Sequence, residues 1–486
     1  MWLWTSRMQG AAAVNSYCFT TTRTTTTTTS STTTSSSSGA PLRASFSGRR
    51  VLFLGAYWPD RRATGAGVRT TSLLDAFVNR WGYDKAVFAS PARENDASRA
   101  LASEYQKLET TKFDMNRKDQ LEEILVRERP DVVVFDRFPA EEAYSWVVRS
   151  VAPEALRVLD MQDSHALRLW RQKGIEGGKV SLSQEYACSF TPEASFKELQ
   201  RELASIHRSD LALVCSPTEK DMLSNVWGIK ESKLCEASFF MEKPDKQRVK
   251  PFAERNGFVT VGTFLHPPNV DSIKWLAQEI WPLVRRKNSR ARIDIYGAHL
   301  ERVTHLQRLH NPDQGFHVNG FAESLEDALG NARVLLSPLR FGAGIKTKIL
   351  DAFSFGTPVA TTPIGAEGIA TGSRLDSPSC DGSSLLSWGG MRGACTAAEV
   401  AEDALRLHED EALWQEASAN GMDILSNHFN KDANLQVVHE ALQDKLMSLG
   451  ESRETDFTGQ AFWHGSLRAT EYFSRWVELK EKSNNL

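Results

Sequence analysis

Three cations surround one glycine turn in this chain. Arg340, Lys346 and Lys348 flank Gly342 and Gly344 in the run PLRFGAGIKTKILDAFSFGTPVATTPIGAEG, which begins at Pro338. An apolar strand, Val334 to Leu336, leads into the turn and helical spacing follows it. Gly356-Thr357-Pro358 stops the helix before a second short strand at Val359 and Ala360 and another glycine turn at Gly365 and Gly368. Glycines let a backbone approach an anion closely, and the first N–H groups of the helix point at it. Cations are unfavourable at that end, because the helix dipole already places partial positive charge there. A multiply charged anion bound between them removes the conflict, and a diphosphate is the natural candidate. Gly342, Gly344, Lys346 and Thr347, with Arg340 and Lys348, are the expected grip. The bland alternative is a basic helix start that is solvated or paired with Glu367.

Further candidates sit at other strand ends. Asp351 lies three residues after Lys348, on the same helical face. The stripe Ile345, Ile349, Ala352, Phe353 and Gly356 leaves it away from the core, as a salt-bridge partner of Lys348 or as an acceptor for a ligand. Gly65-Ala66-Gly67, with Arg69 just beyond, follows the first strand and offers a second close approach with a cation, or a plain tight turn. Asp160, Gln162, Asp163, His165 and Arg168 follow another strand. They can meet a ligand, or Asp163 can cap a helix while His165 packs. Asp136 and Arg137 are similar candidates. Asn269, in His266-Pro267-Pro268-Asn269, reads as the N-cap of the next helix. No Asp-x-Asp motif stands at a strand end, so no catalytic divalent metal is implied.

The elements that must hold these residues alternate. Apolar strand runs at Val51 to Leu54, Ala86 to Ala89, Asp131 to Phe138, Val158-Leu159 and Leu211 to Val214 are separated by helical patterns. Continuous apolar strands between helices indicate a parallel sheet covered on both faces. A charged stretch with Pro244 and Pro251, from Phe239 to Asn256, reads as a linker. Beyond it the alternation restarts at Phe258 to Gly262, Arg292 to Gly297 and His317 to Phe321. Two doubly wound α/β domains are expected, at 50–245 and 246–454. In 455–486 a last helix carries Leu467, Tyr472, Phe473, Trp476 and Val477 on one stripe.

Bulk properties fit this division. With 486 residues the chain is long enough for two or three domains with real cores. A formal net charge of −3 argues against a nucleic-acid partner. Six scattered cysteines, with no C-x-x-C pair, read as reduced thiols. No apolar run approaches the roughly 18 residues of a membrane helix, although peripheral membrane contact stays open. Residues 1–49 contain Arg7, Arg23, Arg43 and Arg49, no acidic residue, and a Thr/Ser tract from Thr20 to Ser38. Such a leader is expected to be disordered and resembles a transit peptide for a plastid or mitochondrion; the alternative is a tail without function.

The donor-type segment from Pro338 resembles that of the GT4 type of glycosyltransferases, which have the GT-B fold. GTFLHPPNVDSIKWLAQEIWPLV from Gly262, IYGA from Ile295 and FLGAYWPDRRATGAGVR from Phe53 are similar to the same family, so the resemblance covers most of the chain from about residue 50. It implies two Rossmann-like domains facing across a cleft, with the acceptor side first and the donor side second. The last helix would cross back onto the first domain. It implies a metal-independent, retaining transfer from a nucleotide-diphosphate sugar, which is a co-substrate rather than a cofactor, to an unidentified glycan, lipid or small molecule. By the same resemblance, Gly65 and Gly67 approach the donor diphosphate, Asp351 binds ribose, and His165 or Asp163 touches the sugar. Arg340 and Lys348 stabilise the leaving group. The family's first acidic place is Ala343 here, and its Arg and Lys in the loop after Gly262 are absent. A non-catalytic scaffold and a nucleotide-sugar epimerase on the same fold are the competing readings.

Overall fold

Val51-Leu52-Phe53-Leu54 and Val132-Val133-Val134-Phe135 contain no polar side chain and are buried on both faces. They pair in parallel at the centre of the first sheet, in strands β1 (Arg50–Gly55) and β4 (Val132–Asp136). The structure, a computed structural model, describes residues 48–183, 186–187, 191–369 and 388–484. All of them fall within one compact unit that starts at Ser45. The leader expected over residues 1–49 lies outside the described residues as far as position 47.

The first sheet also holds β2 (Lys85–Ser90), β3 (Leu108–Lys112), β5 (Leu156–Asp160), β6 (Leu211–Val214) and β7 (Leu234–Glu236). It is parallel, in the order β3-β2-β1-β4-β5-β6-β7. The second sheet, also parallel, has the order β10-β9-β8-β11-β12-β13. Its strands are β8 (Phe258–Val261), β9 (Ile293–Tyr296), β10 (Phe316–Gly320), β11 (Val334–Ser337), β12 (Val359–Thr361) and β13 (Gly390–Met391). Each sheet reverses its winding at one place, between β1 and β4 and between β8 and β11. The crevice beyond the carboxyl ends of strands at such a switch point is where open α/β sheets bind ligands. Both domains therefore have the expected doubly wound form.

The helices that matter below are α1 (Gly65–Asp75), α2 (Phe138–Val151), α3 (His165–Glu176), α4 (Lys197–Arg208) and α5 (Pro217–Asp221) in the first domain. The second domain contributes α6 (Pro267–Trp275) and α7 (Thr347–Ser354). Phe138, expected to end a strand, instead opens α2, where Pro139 suits a first helical turn.

The return to the first domain begins earlier than expected. Helix α8 (Lys431–Met447) already buries Leu435, Val438 and Leu442 in the first domain's core, with the crossing at the bridge between Met241 and Asn430. The second domain thus ends near 430 rather than 454. The last helix, α9 (Phe457–Asn484), buries Trp463 against the first domain, where Arg149 and Arg157 lie over its ring at 4.5 and 4.6 Å. Of the expected stripe, Tyr472, Phe473 and Trp476 are exposed. Among the described residues, no helix is long and apolar enough to cross a membrane. Cys215 and Cys235 are buried free thiols and Cys395 is a half-buried one.

Candidate active site

A cavity of about 430 Å³ opens between the carboxyl ends of the two sheets. Its second-domain wall is the loop from β11 into α7, with Gly342, Ala343, Lys346, Thr347, Lys348 and Asp351. Thr347 begins α7 and Lys346 is its N-cap position, so Lys346 stands just before the helical turn that the sequence assigned it to. Its buried Nζ donates to the Gly344 carbonyl at 2.7 Å and lies 3.6 Å from Glu367. The pairing with Glu367 that the sequence left open is therefore the arrangement found, although Lys346 still lines the cavity.

Lys348 is the cation this wall offers. Its Nζ donates to Asn269 Oδ1 at 2.7 Å. Burial pushes its pKa down to about 8. Asp351 lies one turn on, and burial pushes its pKa up to about 7. Among the described residues no ion pair joins the two, so the salt bridge considered from the sequence is not formed. Asn269 is not the N-cap of α6. His266 holds that place, while the Asn269 amide donates to the Thr263 carbonyl at 3.0 Å and presents its oxygen to Lys348.

Arg340 is not brought into the cavity. Its Nε donates to Asp271 at 2.9 Å and its guanidinium lies over Trp275 at 5.6 Å. Asp271 stands one turn into α6, a partner that spacing within the 338–368 run cannot reveal. Gly344 is likewise committed elsewhere. Its N–H donates to Glu219 Oε1 at 2.7 Å, its φ is +63°, and a Cβ there would lie 2.8 Å from Asp163 Cβ. It is a contact point between domains rather than an open amide.

On the first-domain wall, Gly65 lines the cavity at the start of α1. A Cβ there would lie 2.5 Å from Thr347 Oγ1, so the missing side chain is what lets α1 and α7 meet end to end. Gly67 is packed on the backbone of Asp60 and serves the turn, not the cavity. Arg69 adds no cation either. It is fully buried, with Nε on Asp160 at 2.8 Å and Nη1 on the Ala237 carbonyl at 2.6 Å.

Asp163 and His165 do come together in the cavity wall. Asp163 Oδ1 is 3.3 Å from His165 Nε2, and Asp163 Oδ2 accepts from Arg168 Nε at 2.8 Å. Burial opposes ionisation of Asp163, but Arg168 and His165 outweigh it and hold the carboxyl well below its usual range. Ser164, not Asp163, caps α3, accepting from the Leu167 N–H at 3.3 Å. His165 also meets the Phe138 ring edge-on at 5.3 Å.

Two buried acids that the sequence reading missed fix this corner. Glu202 of α4 accepts from Ser164 Oγ, the His165 N–H and the Ala166 N–H at 2.9, 3.0 and 3.2 Å. Glu219 of α5 accepts from the Ser164 N–H at 3.0 Å as well as from Gly344, and so holds one loop from each domain. Their only sequence signal is an acid inside a helix beside a buried strand, which is too common to single out.

Two strand ends beside them are strained. Arg137 has φ 69° and ψ 160°, and Gln162 has φ 63°. Side chains in such regions cost about 1–3 kcal/mol each and persist where the surroundings over-determine them. Asp136 ties the two together, accepting from Gln162 Nε2 at 2.6 Å and from Arg137 at 3.0 and 3.2 Å.

The arrangement is thus a cleft with a lysine amine and an aspartate carboxyl group on one wall and a carboxylate–imidazole–guanidinium triplet on the other. Residues 255–380 match the family model of glycosyl transferases group 1. The two domains together have the GT-B fold, similar to three solved structures. Anabaena HepE in complex with UDP and glucose is 12% identical over 82% of this chain and 100% of its own, with a TM-score of 0.59. The sucrose-phosphate synthase of Thermosynechococcus elongatus is 14% identical, over 82% and 99%, with a TM-score of 0.60. A glycosyltransferase from Rickettsia africae is 11% identical, over 82% and 98%, with a TM-score of 0.56. Among curated proteins none matches the chain by sequence.

Proposed function

We propose that the protein is a glycosyltransferase of the GT4 type, moving a hexosyl group from a nucleotide-diphosphate sugar to an acceptor hydroxyl with retention and without a metal ion. The observation that carries the reading is Lys348 with Asp351 one turn away, both lining the cavity opposite Asp163 and His165. The HepE complex with UDP and glucose, on the same fold, supports it.

Charge grows on the diphosphate as the anomeric C–O bond breaks, so a preorganised cation and amides there are the largest catalytic contribution. Lys348 supplies the cation, and Gly342 with the first turn of α7 supplies the amides. Asp351 accepts the ribose hydroxyls. The acceptor oxygen bonds to the anomeric carbon on the face from which the nucleoside diphosphate departs with the bonding electron pair. The acceptor's proton goes to the departing phosphate oxygen. His165, oriented by Asp163, hydrogen-bonds the sugar. Ala343 offers the sugar no side-chain contact, which is the feature that favours a non-catalytic binder as second reading.

Thermal shift with UDP, GDP and ADP sugars finds the donor, because ligand binding to the folded state raises stability by mass action. Turnover is then followed by NMR of the product's anomeric proton, with and without EDTA. Donor binding without transfer or hydrolysis across a broad acceptor set would leave only the binding protein. An inverted anomer, or loss of activity on chelation, would refute retention or metal independence. The leader is proposed to direct the protein to a plastid or mitochondrion. A reporter fused to residues 1–60 that stays diffuse in a eukaryotic cell would refute that.

A further inference from the structure

Six cations and two carboxylates, Asp163 and Asp351, line the cavity. A nucleotide diphosphate on the α7 wall meets Lys348, and Lys346 is held by Gly344 and Glu367. Four guanidinium groups remain on the first-domain wall; Arg61 is paired with Glu104, which leaves Arg62, Arg137 and Arg168. Arg137 and Arg168 each give one edge to a carboxylate. Arg137 binds Asp136 through Nε and Nη2, and Arg168 binds Asp163 through Nε. Among the described residues, Nη1 of Arg137 and both Nη atoms of Arg168 have no hydrogen-bond partner, and Arg62 is exposed with no ion pair. The two inner guanidiniums stand close enough to repel each other.

A second observation points to the same place. Gln162 is 7% exposed and lines the cavity. Its Nε2 donates to Asp136 and, at 3.1 Å, to Thr70 Oγ1, which fixes the orientation of the amide. Its Oε1 is left buried without a donor. A buried acceptor without a partner is costly, and a ligand hydroxyl would satisfy it. Unpaired guanidinium edges suit a phosphate, which accepts several N–H bonds at once, better than a carboxylate, which one arginine saturates.

We propose that the acceptor is a hydroxylated phosphate monoester, its phosphate held by Arg62, Arg137 and Arg168 and one hydroxyl held by Gln162. The inference rests on the glycosyltransferase reading for the word acceptor, and on the first-domain wall alone for the site.

The test is thermal shift and calorimetry on the full chain with UDP present. The probes are glucose 6-phosphate, glucose, and phosphatidylcholine vesicles with and without phosphatidylinositol 4-phosphate. Glucose 6-phosphate is expected to bind where glucose does not. Arg62→Gln and Arg137→Gly are each expected to weaken it about tenfold while UDP affinity is unchanged, the size of one lost charge-assisted contact. Arg62→Gln changes an exposed residue, so its result does not hinge on misfolding; Arg137→Gly relieves the strained backbone but leaves Asp136 to Gln162 alone, so its melting temperature is read beside its affinity. If only the phosphoinositide vesicles bind, and the same variants abolish it, the phosphate monoester belongs to a lipid. Equal binding of glucose and glucose 6-phosphate, or variants that bind like wild type, would overturn the site. Failure of UDP to bind would sink the donor reading separately, leaving glucose 6-phosphate alone to judge the arginine wall.

Discussion

Burial moves both Lys348 and Asp351 towards neutrality, the lysine down to about 8 and the aspartate up to about 7, and this makes a joint prediction. The lysine is protonated below about pH 8 and the aspartate is ionised above about pH 7. A diphosphate needs the first and a ribose diol the second. UDP affinity, measured by calorimetry from pH 5.5 to 9.5, is expected to be greatest between those values and to fall on both sides. Lys348→Met should abolish the alkaline limb and weaken binding about 10- to 100-fold, as for a lost charged contact. Asp351→Asn should abolish the acid limb alone. Arg340→Ala should change affinity by less than about twofold, because Asp271 already holds that guanidinium outside the cavity. A flat profile in the parent, or a large effect of Arg340→Ala, would reverse these assignments. Gly344→Ala belongs to the same scale. Its positive φ costs roughly 1 kcal/mol, and the added Cβ would meet Asp163 at 2.8 Å. Reduced melting temperature together with reduced kcat/KM is expected, whereas unchanged turnover would show that the loop and Asp163 need not touch.

Strand β1 pairs with β2 on one side and β4 on the other, which places residues 50–55 at the centre of the first sheet. Removing residues 1–48 is expected to leave the melting temperature unchanged, and removing residues 1–54 to prevent folding. Circular dichroism and gel filtration of the two truncations check this, and a folded shorter chain would contradict the assigned register. Legibility at this scale followed burial. Val51 to Leu54 and Val132 to Phe135 announce central strands because nothing in them is polar. LETTK in β3 and LCE in β7 lie towards or at a sheet edge, where short strands need no apolar run, and nothing in the sequence marks them. The glycine turn with Lys348 and Asp351 was legible because dipole and spacing are local. The destination of Arg340 was not, since Asp271 comes from another helix. The stripe on α9 was legible as a stripe, but periodicity says only that the residues share a face, not that anything covers them. Glu202 and Glu219 were invisible for a related reason. A buried acid is explained by donors that only the folded chain collects.

Besides Glu219, a buried guanidinium joins the two domains. Arg171 of α3, 1% exposed, donates to both Glu367 oxygens at 2.8 Å, to the Gly342 carbonyl at 3.0 Å and to the Ala187 carbonyl at 3.0 Å. It thereby connects the helix that carries His165 with the loop that leads to Lys348. Burial raises the cost of a charged Glu367, but Arg171 and Lys346 outweigh it and hold that carboxyl below its usual range. Its pairing therefore stabilises the fold at neutral pH, and the contribution is lost as pH falls through the depressed pKa. Arg171→Met should cost about 3–5 kcal/mol, since it strands a buried carboxylate beside a single lysine. Calorimetry of that variant is expected to split one unfolding transition into two, as the domains lose their common support. Arg171→Met with Glu367→Leu should recover part of the loss, because the apolar pair avoids the desolvation cost of both charges but leaves buried Lys346 with the Gly344 carbonyl in place of a carboxylate. Recovered stability without recovered turnover would assign the pair to aligning the two walls of the cleft. Recovery of both would leave it as a fastening that any well-packed contact can replace.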